Sequence, residues 1–321
     1  GSYLTYRLTG KRIVTDCMAS GSGLLNIQNK KYDKKRLEEI GILEDQLCEV
    51  VTYKDAAPLT EEAANILGVK AGIPVIPVSA DGALNQVGVG ALEEGIMTFS
   101  VGTSAAIRVS VSKPVIPKEA STWCYLSPVK WLSGAATSGS CNCIDWFKDY
   151  FYKQDYKEIE KHGRPDLDTP VFLPFLFGER SPGWRSEKRG AFLQMEPFHN
   201  KVHIYQAIQE GILFHVYQNY KLLCELNGKP KRILLSGGIL NSKFWTQMCV
   251  DIFETAMEIP TMQQSSLMGA IILAMDYLGV IPSVTQFPFK KGKILQPDPS
   301  KAKLYREKYQ KYLYWYHKIS Y

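Results

Sequence analysis

Met97-Thr98-Phe99-Ser100-Val101-Gly102-Thr103-Ser104-Ala105-Ala106-Ile107-Arg108-Val109-Ser110-Val111 is the stretch on which the fold turns. Strand-forming residues alternate on both sides of Gly102-Thr103-Ser104, the pattern of two half-buried strands joined by a tight turn. Glycine lets such a turn bring backbone N–H groups close to an anion, and the two hydroxyls add donors. Gly102, Thr103 and Ser104 are therefore a candidate phosphate turn, although a Gly- and Ser-rich hairpin turn serves many β structures with no ligand.

Upstream of this hairpin, Glu93-Glu94-Gly95 reads as a turn and as a domain boundary, dividing the chain into 1–95 and 96–321. Small residues at Gly88, Gly90 and Ala91 would let the preceding helix approach a neighbouring backbone closely. Before that helix, Ile73-Pro74-Val75-Ile76-Pro77-Val78-Ser79 fits a short buried strand, confined by its prolines to an edge or a strand end. Thr60 caps a helix that Gly68 ends, and another spans Lys34–Ile40 with Gly41 past its end. Residues 11–32 alternate as strand or turn, and Tyr3-Leu4-Thr5-Tyr6 already reads as the inside of an element.

Downstream, Trp131 opens a further strand, and helices follow over about Asn142–Tyr152 and His203–Leu226. Arg232-Ile233-Leu234-Leu235-Ser236 is a buried strand leading into Gly237-Gly238 and a helix near Ser242–Phe253. A further helix spans about Leu267–Leu278. Near the end, Lys301, Lys303, Arg306, Lys308, Lys311 and Lys318 interleave with Tyr305, Tyr309, Tyr312 and Tyr316. Nucleic-acid binders use such mixtures. The reading preferred here is an amphipathic helix that packs its aromatic stripe.

The 321 residues are 45% hydrophobic, enough for two domains with their own cores, and a charged fraction of 22% gives no sign of disorder. No apolar run reaches the length of a membrane span, and no signal-peptide pattern opens the chain. Seven scattered cysteines, an odd number without framework spacing, read as reduced thiols of a cytoplasmic protein. Cys141 and Cys143 are a close pair with no second pair to complete a metal site, and His199 and His203 read as a solvated helix start. The net charge of +6 suits anionic substrates.

Two further junctions share the design of the 102–104 turn. Ser79-Ala80-Asp81-Gly82 puts a carboxylate beside glycine at a strand's end, where Asp81 could deprotonate a hydroxyl in phosphoryl transfer or cap the next helix. Ser236-Gly237-Gly238-Ile239-Leu240-Asn241-Ser242 runs from a strand through two glycines to a helix N-terminus, a corner whose free N–H groups favour phosphate. It is neither a Walker A loop nor a dinucleotide fingerprint, and an ordinary strand-to-helix turn has the same form.

The order and flanks of these corners resemble the FGGY carbohydrate kinases. Asp81-Gly82-Ala83-Leu84-Asn85-Gln86-Val87-Gly88 and Phe99–Arg108 are similar to the family's catalytic-aspartate and second phosphate segments. Leu173-Pro174-Phe175-Leu176-Phe177-Gly178-Glu179-Arg180-Ser181-Pro182 followed by Arg189-Gly190-Ala191-Phe192, and Ser236-Gly237-Gly238 through Asp251-Ile252-Phe253, match two more of its motifs. Tyr3–Gly10 and Ala19-Ser20 match its first-domain pattern, so the resemblance runs from the first residues to about Ser283. The family's Asp-x-Gly-Thr-Thr-like phosphate hairpin has no counterpart here, and turnover is expected to need it.

The resemblance implies an α/β, actin/hexokinase-like architecture of two ribonuclease-H-like domains, the first incomplete, with sugar held mainly by the first and Mg·ATP mainly by the second. It implies Asp81 as general base, Asp81 and Gly82 at the substrate, and Gly102, Thr103 and Ser104 at the phosphates. Gly237 and Gly238, with Asn241 or Ser242 behind them, match the adenosine corner. No protein metal ligand is assigned, and Glu179 and Arg180 are expected to be structural, as an ion pair or turn anchors. ATP and Mg2+ are the implied cofactors, and the partner is a small sugar or sugar acid, with no nucleic acid or membrane; a homodimer is left open. Ser79–Leu84 and Ser104–Arg108 lean toward gluconate kinases, which convert D-gluconate to 6-phosphogluconate. Xylulokinase, another FGGY sugar kinase, or a non-catalytic nucleotide- or sugar-binding module of the same fold are the alternatives. Arg108 would favour an acid sugar if its strand does not turn it to solvent.

Overall fold

Residues 1–95 make short elements whose ends are set by local caps. The computed structural model describes residues 1–153, 155–262 and 264–319. Helix α1 (Ser2–Thr9) stops at Gly10, and β1 (Ile13–Thr15) follows. Thr15 accepts a hydrogen bond from the Met18 amide and so caps α2 (Asp16–Ser20), one turn of helix where the alternation suggested only strand or turn. Strands β2 (Leu25–Asn26) and β3 (Lys31–Tyr32) form a small antiparallel pair. Helix α3 (Lys34–Ile40) ends at Gly41, and β4 (Glu49–Val51) pairs in parallel with β1.

Strand β5 (Ala57–Pro58) precedes α4 (Glu61–Leu67), which Thr60 caps and Gly68 ends, as its sequence requires. The expected strand over 73–79 shrinks to β6 (Pro74–Val75), paired only with β5. Pro74 and Pro77 lack the N–H donors that a longer ladder would need. Helix α5 (Asp81–Gly88) follows directly.

Strands β7 (Ile96–Val101), β8 (Ala105–Val111), β9 (Trp123–Leu126) and β10 (Trp131–Thr137) are antiparallel neighbours, with β10 between β8 and β9. Helices α6 (Cys141–Phe151) and α7 (Tyr156–Glu160), the pair β11 (Val171–Leu173) and β12 (Ala191–Leu193), and the long α8 (Lys201–Asn227) come next. His203 completes a capping box with Asn200 at the start of α8. Then come β13 (Arg232–Gly237), α9 (Lys243–Phe253), β14 (Met257–Ile259), α10 (Ser265–Tyr277), β15 (Lys293–Leu295) and α11 (Ala302–Lys318). The seven-stranded sheet runs β15-β14-β13-β7-β8-β10-β9, with β13 parallel to both β7 and β14.

One face of this sheet presents Phe99, Val101, Ile107, Val109 and Leu235 to a core shared with α6, α8, α9 and α11. Helix α11 contributes Tyr305, Tyr309, Tyr312 and Tyr316 to that core and leaves Lys303, Arg306 and Lys311 in solvent, the arrangement of an amphipathic packing helix. The motif around residue 179 is tied to the same helix. Buried Glu179 pairs with Lys188 at 3.1 Å and accepts from the Tyr316 hydroxyl at 2.7 Å. Its charge partner is therefore Lys188, nine residues on, and not Arg180.

The opposite face of the sheet receives α5. Buried Gln86 holds it there: its amide donates to the Ile96 carbonyl and the Ser110 hydroxyl, and its oxygen accepts from the Thr98 hydroxyl at 2.6 Å. Helix α10 crosses α5 at two glycines. A Cβ on Gly88 would collide with the Ser265 carbonyl, and one on Gly269 with the Leu84 carbonyl. Gly88 thus has the close-approach role its sequence suggested, whereas Gly90, at φ 72°, lies in the turn beyond the helix and faces the Phe289 ring.

Candidate active site

The register of β7 and β13 brings two of the three glycine junctions together. Ser100 stands opposite Ser236 and Val101 opposite Gly237, so the 102–104 turn and the 237–238 corner leave the sheet side by side. Gly237 has φ 97°, and a Cβ there would collide with the Val101 carbonyl, so no other residue fits without moving the strand. The turn itself is braced from behind. Gly102 N–H donates to the Ser104 carbonyl, while the Cys141 and Asn142 amides at the start of α6 donate to the carbonyls of Gly102 and Thr103. Thr103 and Ser104 remain exposed.

The third junction approaches from the other side. Asp81 is the first residue of α5 and is exposed, its Oδ1 accepting from the Gly82 amide at 2.6 Å. The carbonyl of Asp81 accepts from the Ser266 hydroxyl at 3.1 Å, and Asn85, one turn along, donates to the Ser265 hydroxyl at 2.5 Å. Both serines open α10. The tip of the helix carrying Asp81 is therefore fastened to the N-terminus of α10.

Between these pieces lies a cleft of about 640 Å3. Asn85, Ser100, Ser236, Gly237 and Asn241 line it, with Ile259–Met262, Gln264, Ser265 and Ser266 on the far wall. Asn241 points outward, but Ser242 is buried and its hydroxyl caps α9 by accepting from the Trp245 amide at 3.0 Å. Gly238 lies beside the Cys141 sulfur. Burial pushes that thiol up to about 11, so it stays protonated and behaves as a small packing group.

Two features of the site were not assigned from sequence. Asn85 lies four residues from Asp81 on a helix and so shares its face, a spacing that could have flagged it. Ser265 and Ser266 carry no local signal, since only the tertiary crossing of α5 and α10 brings them to Asp81. Arg108 turns toward α5: its guanidinium lies against Gly82, where a Cβ would sit 2.6 Å from Nε.

For a nucleotide, the fit is one of backbone shape: Gly237 and the N-terminus of α10 line the cleft, whereas Asp81, Gly238 and the exposed 102–104 turn are not among its lining residues. For a resident metal ion, the described residues offer no group of three or more His, Cys, Asp or Glu side chains.

A sequence model described as the FGGY family of carbohydrate kinases, C-terminal domain, matches residues 97–276, and the model of the same family's N-terminal domain matches residues 1–88. Gluconokinase of Bacillus subtilis (strain 168) is 30% identical over 298 residues, which cover 88% of this chain and 58% of that protein. Among solved structures, the ligand-bound xylulose kinase and the gluconate kinase of Lactobacillus acidophilus superpose with TM-scores of 0.91 and 0.90. Each is 29% identical, with 98% of this chain covered. The chain spans 66% of the length of those two chains.

Proposed function

The chain belongs to the FGGY family of carbohydrate kinases and has their two-domain actin/hexokinase-like fold; on that premise we propose that it forms the cleft in which ATP phosphorylates a sugar or sugar acid. D-Gluconate, converted to 6-phosphogluconate, is the substrate the motifs favour. One observation carries the reading: an exposed carboxylate, Asp81, tips a helix fastened to Ser265 and Ser266, which line a cleft that Ser236 and Gly237 line as well. We divide the chain at Glu93-Glu94-Gly95, with residues 1–95 serving the sugar and 96–321 the nucleotide.

In this mechanism Asp81 accepts the proton of the attacking hydroxyl and fixes its direction, a contribution of about 10² to 10⁴ in rate. Gly82 serves the substrate side by leaving room for the Arg108 guanidinium, which fills the space a side chain would take. Gly102, Thr103 and Ser104 offer amide and hydroxyl donors to the transferring phosphates, where charge builds. Gly237, Gly238 and Asn241 bound the adenosine, while Ser242 acts from behind by holding the start of α9. Mg2+, when bound with ATP, neutralises phosphate charge. Closure of the two sides would exclude water and suppress idle hydrolysis.

In the full-length protein, Asp81→Asn is expected to lower kcat by at least about 10²-fold with nucleotide affinity unchanged. Turnover near the wild-type rate, followed as ADP release in a coupled assay, would remove Asp81 from this role. D-Xylulose is the competing substrate, since the xylulose kinase and gluconate kinase structures are equally similar in sequence to this chain.

A further inference from the structure

The sheet face that meets α5 carries a cation, Arg108, that joins no ion pair within 4.0 Å among the described residues. Register aligns Arg108 on β8, Gly134 on β10 and Trp123 on β9 in one row across the sheet. Two glycines make space along that row. A Cβ on Gly82 would lie 2.6 Å from Nε of Arg108 and 2.7 Å from its Cζ and Nη2, and a Cβ on Gly134 would collide with the Trp123 ring. The guanidinium therefore rests on the backbone of the residue after Asp81, with its Cζ 5.9 Å from the centre of the Trp123 ring. Tyr125 stacks on Trp123 at 4.8 Å, and its hydroxyl accepts a hydrogen bond from the Arg108 side chain.

Three properties of this place ask for an acceptor. Arg108 Nε is buried without a hydrogen-bond partner, and so is Nε1 of Trp123. Among the described residues, Arg108 joins none of the ion pairs closer than 4.0 Å. The N-terminus of α5, positive by its dipole, adds to the cation instead of offsetting it. A half-buried cation and two orphaned donors cost free energy unless something negative completes them. Asp81 cannot do so while its carboxylate serves the hydroxyl.

We propose that Arg108, seated on Gly82, binds the carboxylate of the substrate and so selects a sugar acid over a neutral sugar. This assignment rests on the kinase reading of the cleft and narrows it to one substrate class. Arginine suits the task because its planar fork can meet a carboxylate with two hydrogen bonds, which lysine cannot.

The test is calorimetry on the full-length protein and its Arg108→Gln and Arg108→Lys variants, with D-gluconate, the neutral six-carbon polyol D-glucitol, and D-xylulose. The wild type should bind gluconate at least tenfold more tightly than either neutral ligand. Arg108→Gln should remove that preference while its affinity for neutral ligands and its melting temperature stay unchanged, and Arg108→Lys should restore part of it. An acid preference that survives Arg108→Gln overturns the assignment, as does an equal loss for acid and neutral ligands or a wild type that prefers the neutral ones. ADP release with xylulose but not gluconate would discard Arg108 as an acid selector and leave the kinase reading standing. Absence of ATP turnover on every sugar would remove the kinase reading, and the gluconate titrations would still decide Arg108.

Discussion

His215 lies on α8 with none of its surface exposed, its Nδ1 3.2 Å from the Tyr312 hydroxyl. Burial, helped by the charge of Lys188, pushes its imidazole from the ordinary 6.5 down to about 3. The sign follows from linkage. Above pH 6.5 the ring is neutral in both folded and unfolded chains, so His215 adds no pH dependence. Between 6.5 and about 3 only the unfolded chain takes up the proton, and stability falls as the pH falls. Urea unfolding from pH 7.5 to 5 should show a loss of up to about 1.4 kcal/mol per pH unit from this site. His215→Gln should flatten that slope, and an unchanged slope would mean other groups set it. Arg108 shows the limit of reading at this scale. Alternation put it on the face opposite Ile107 and Val109, but not what that face meets, because Gly82 and Trp123 reach it only through tertiary packing.

At the scale of elements, the crossing of α5 and α10 organises the candidate site. Gly88→Ala would drive a methyl into the Ser265 carbonyl, costing roughly 1–3 kcal/mol of stability. Because Ser265 and Ser266 hold Asn85 and the Asp81 carbonyl, the same change should weaken nucleotide binding. Thermal melting with an ATP titration checks both, and a stable variant with full affinity would show that the helices can part without consequence. Local chemistry made much of the fold legible. Thr60, Gly41 and Gly68 mark helix ends through their own side chains or backbone, and the alternation around Gly102 gave the β7–β8 hairpin. The helix α2 was missed because five residues with one hydroxyl cap carry too little pattern. The 73–79 strand was overdrawn because apolar content outweighed the two prolines. Asp81 and both glycine corners were visible as motifs, but Ser242 facing inward and Gln86 anchoring α5 depend on partners distant in sequence.

For the molecule as a whole, α11 acts as a seam. Lys308 reaches Glu210 at 2.6 Å and the Leu167 carbonyl at 2.8 Å, nearly out of solvent. Lys308→Met would leave the Glu210 carboxylate buried with only its hydrogen bonds from Gln206 and Thr169, and about 3–5 kcal/mol of stability should go with it. The urea midpoint measures this, and a shift under 1 kcal/mol would mean the pair is dispensable. Chain order gives the seam a further consequence. During synthesis Glu210 emerges 98 residues before Lys308, and Glu179 emerges 137 residues before Tyr316. A ribosome that has delivered the whole sheet up to β14 has thus released a domain whose two buried acids still lack these partners, and that nascent state is the one chaperones and proteases would meet.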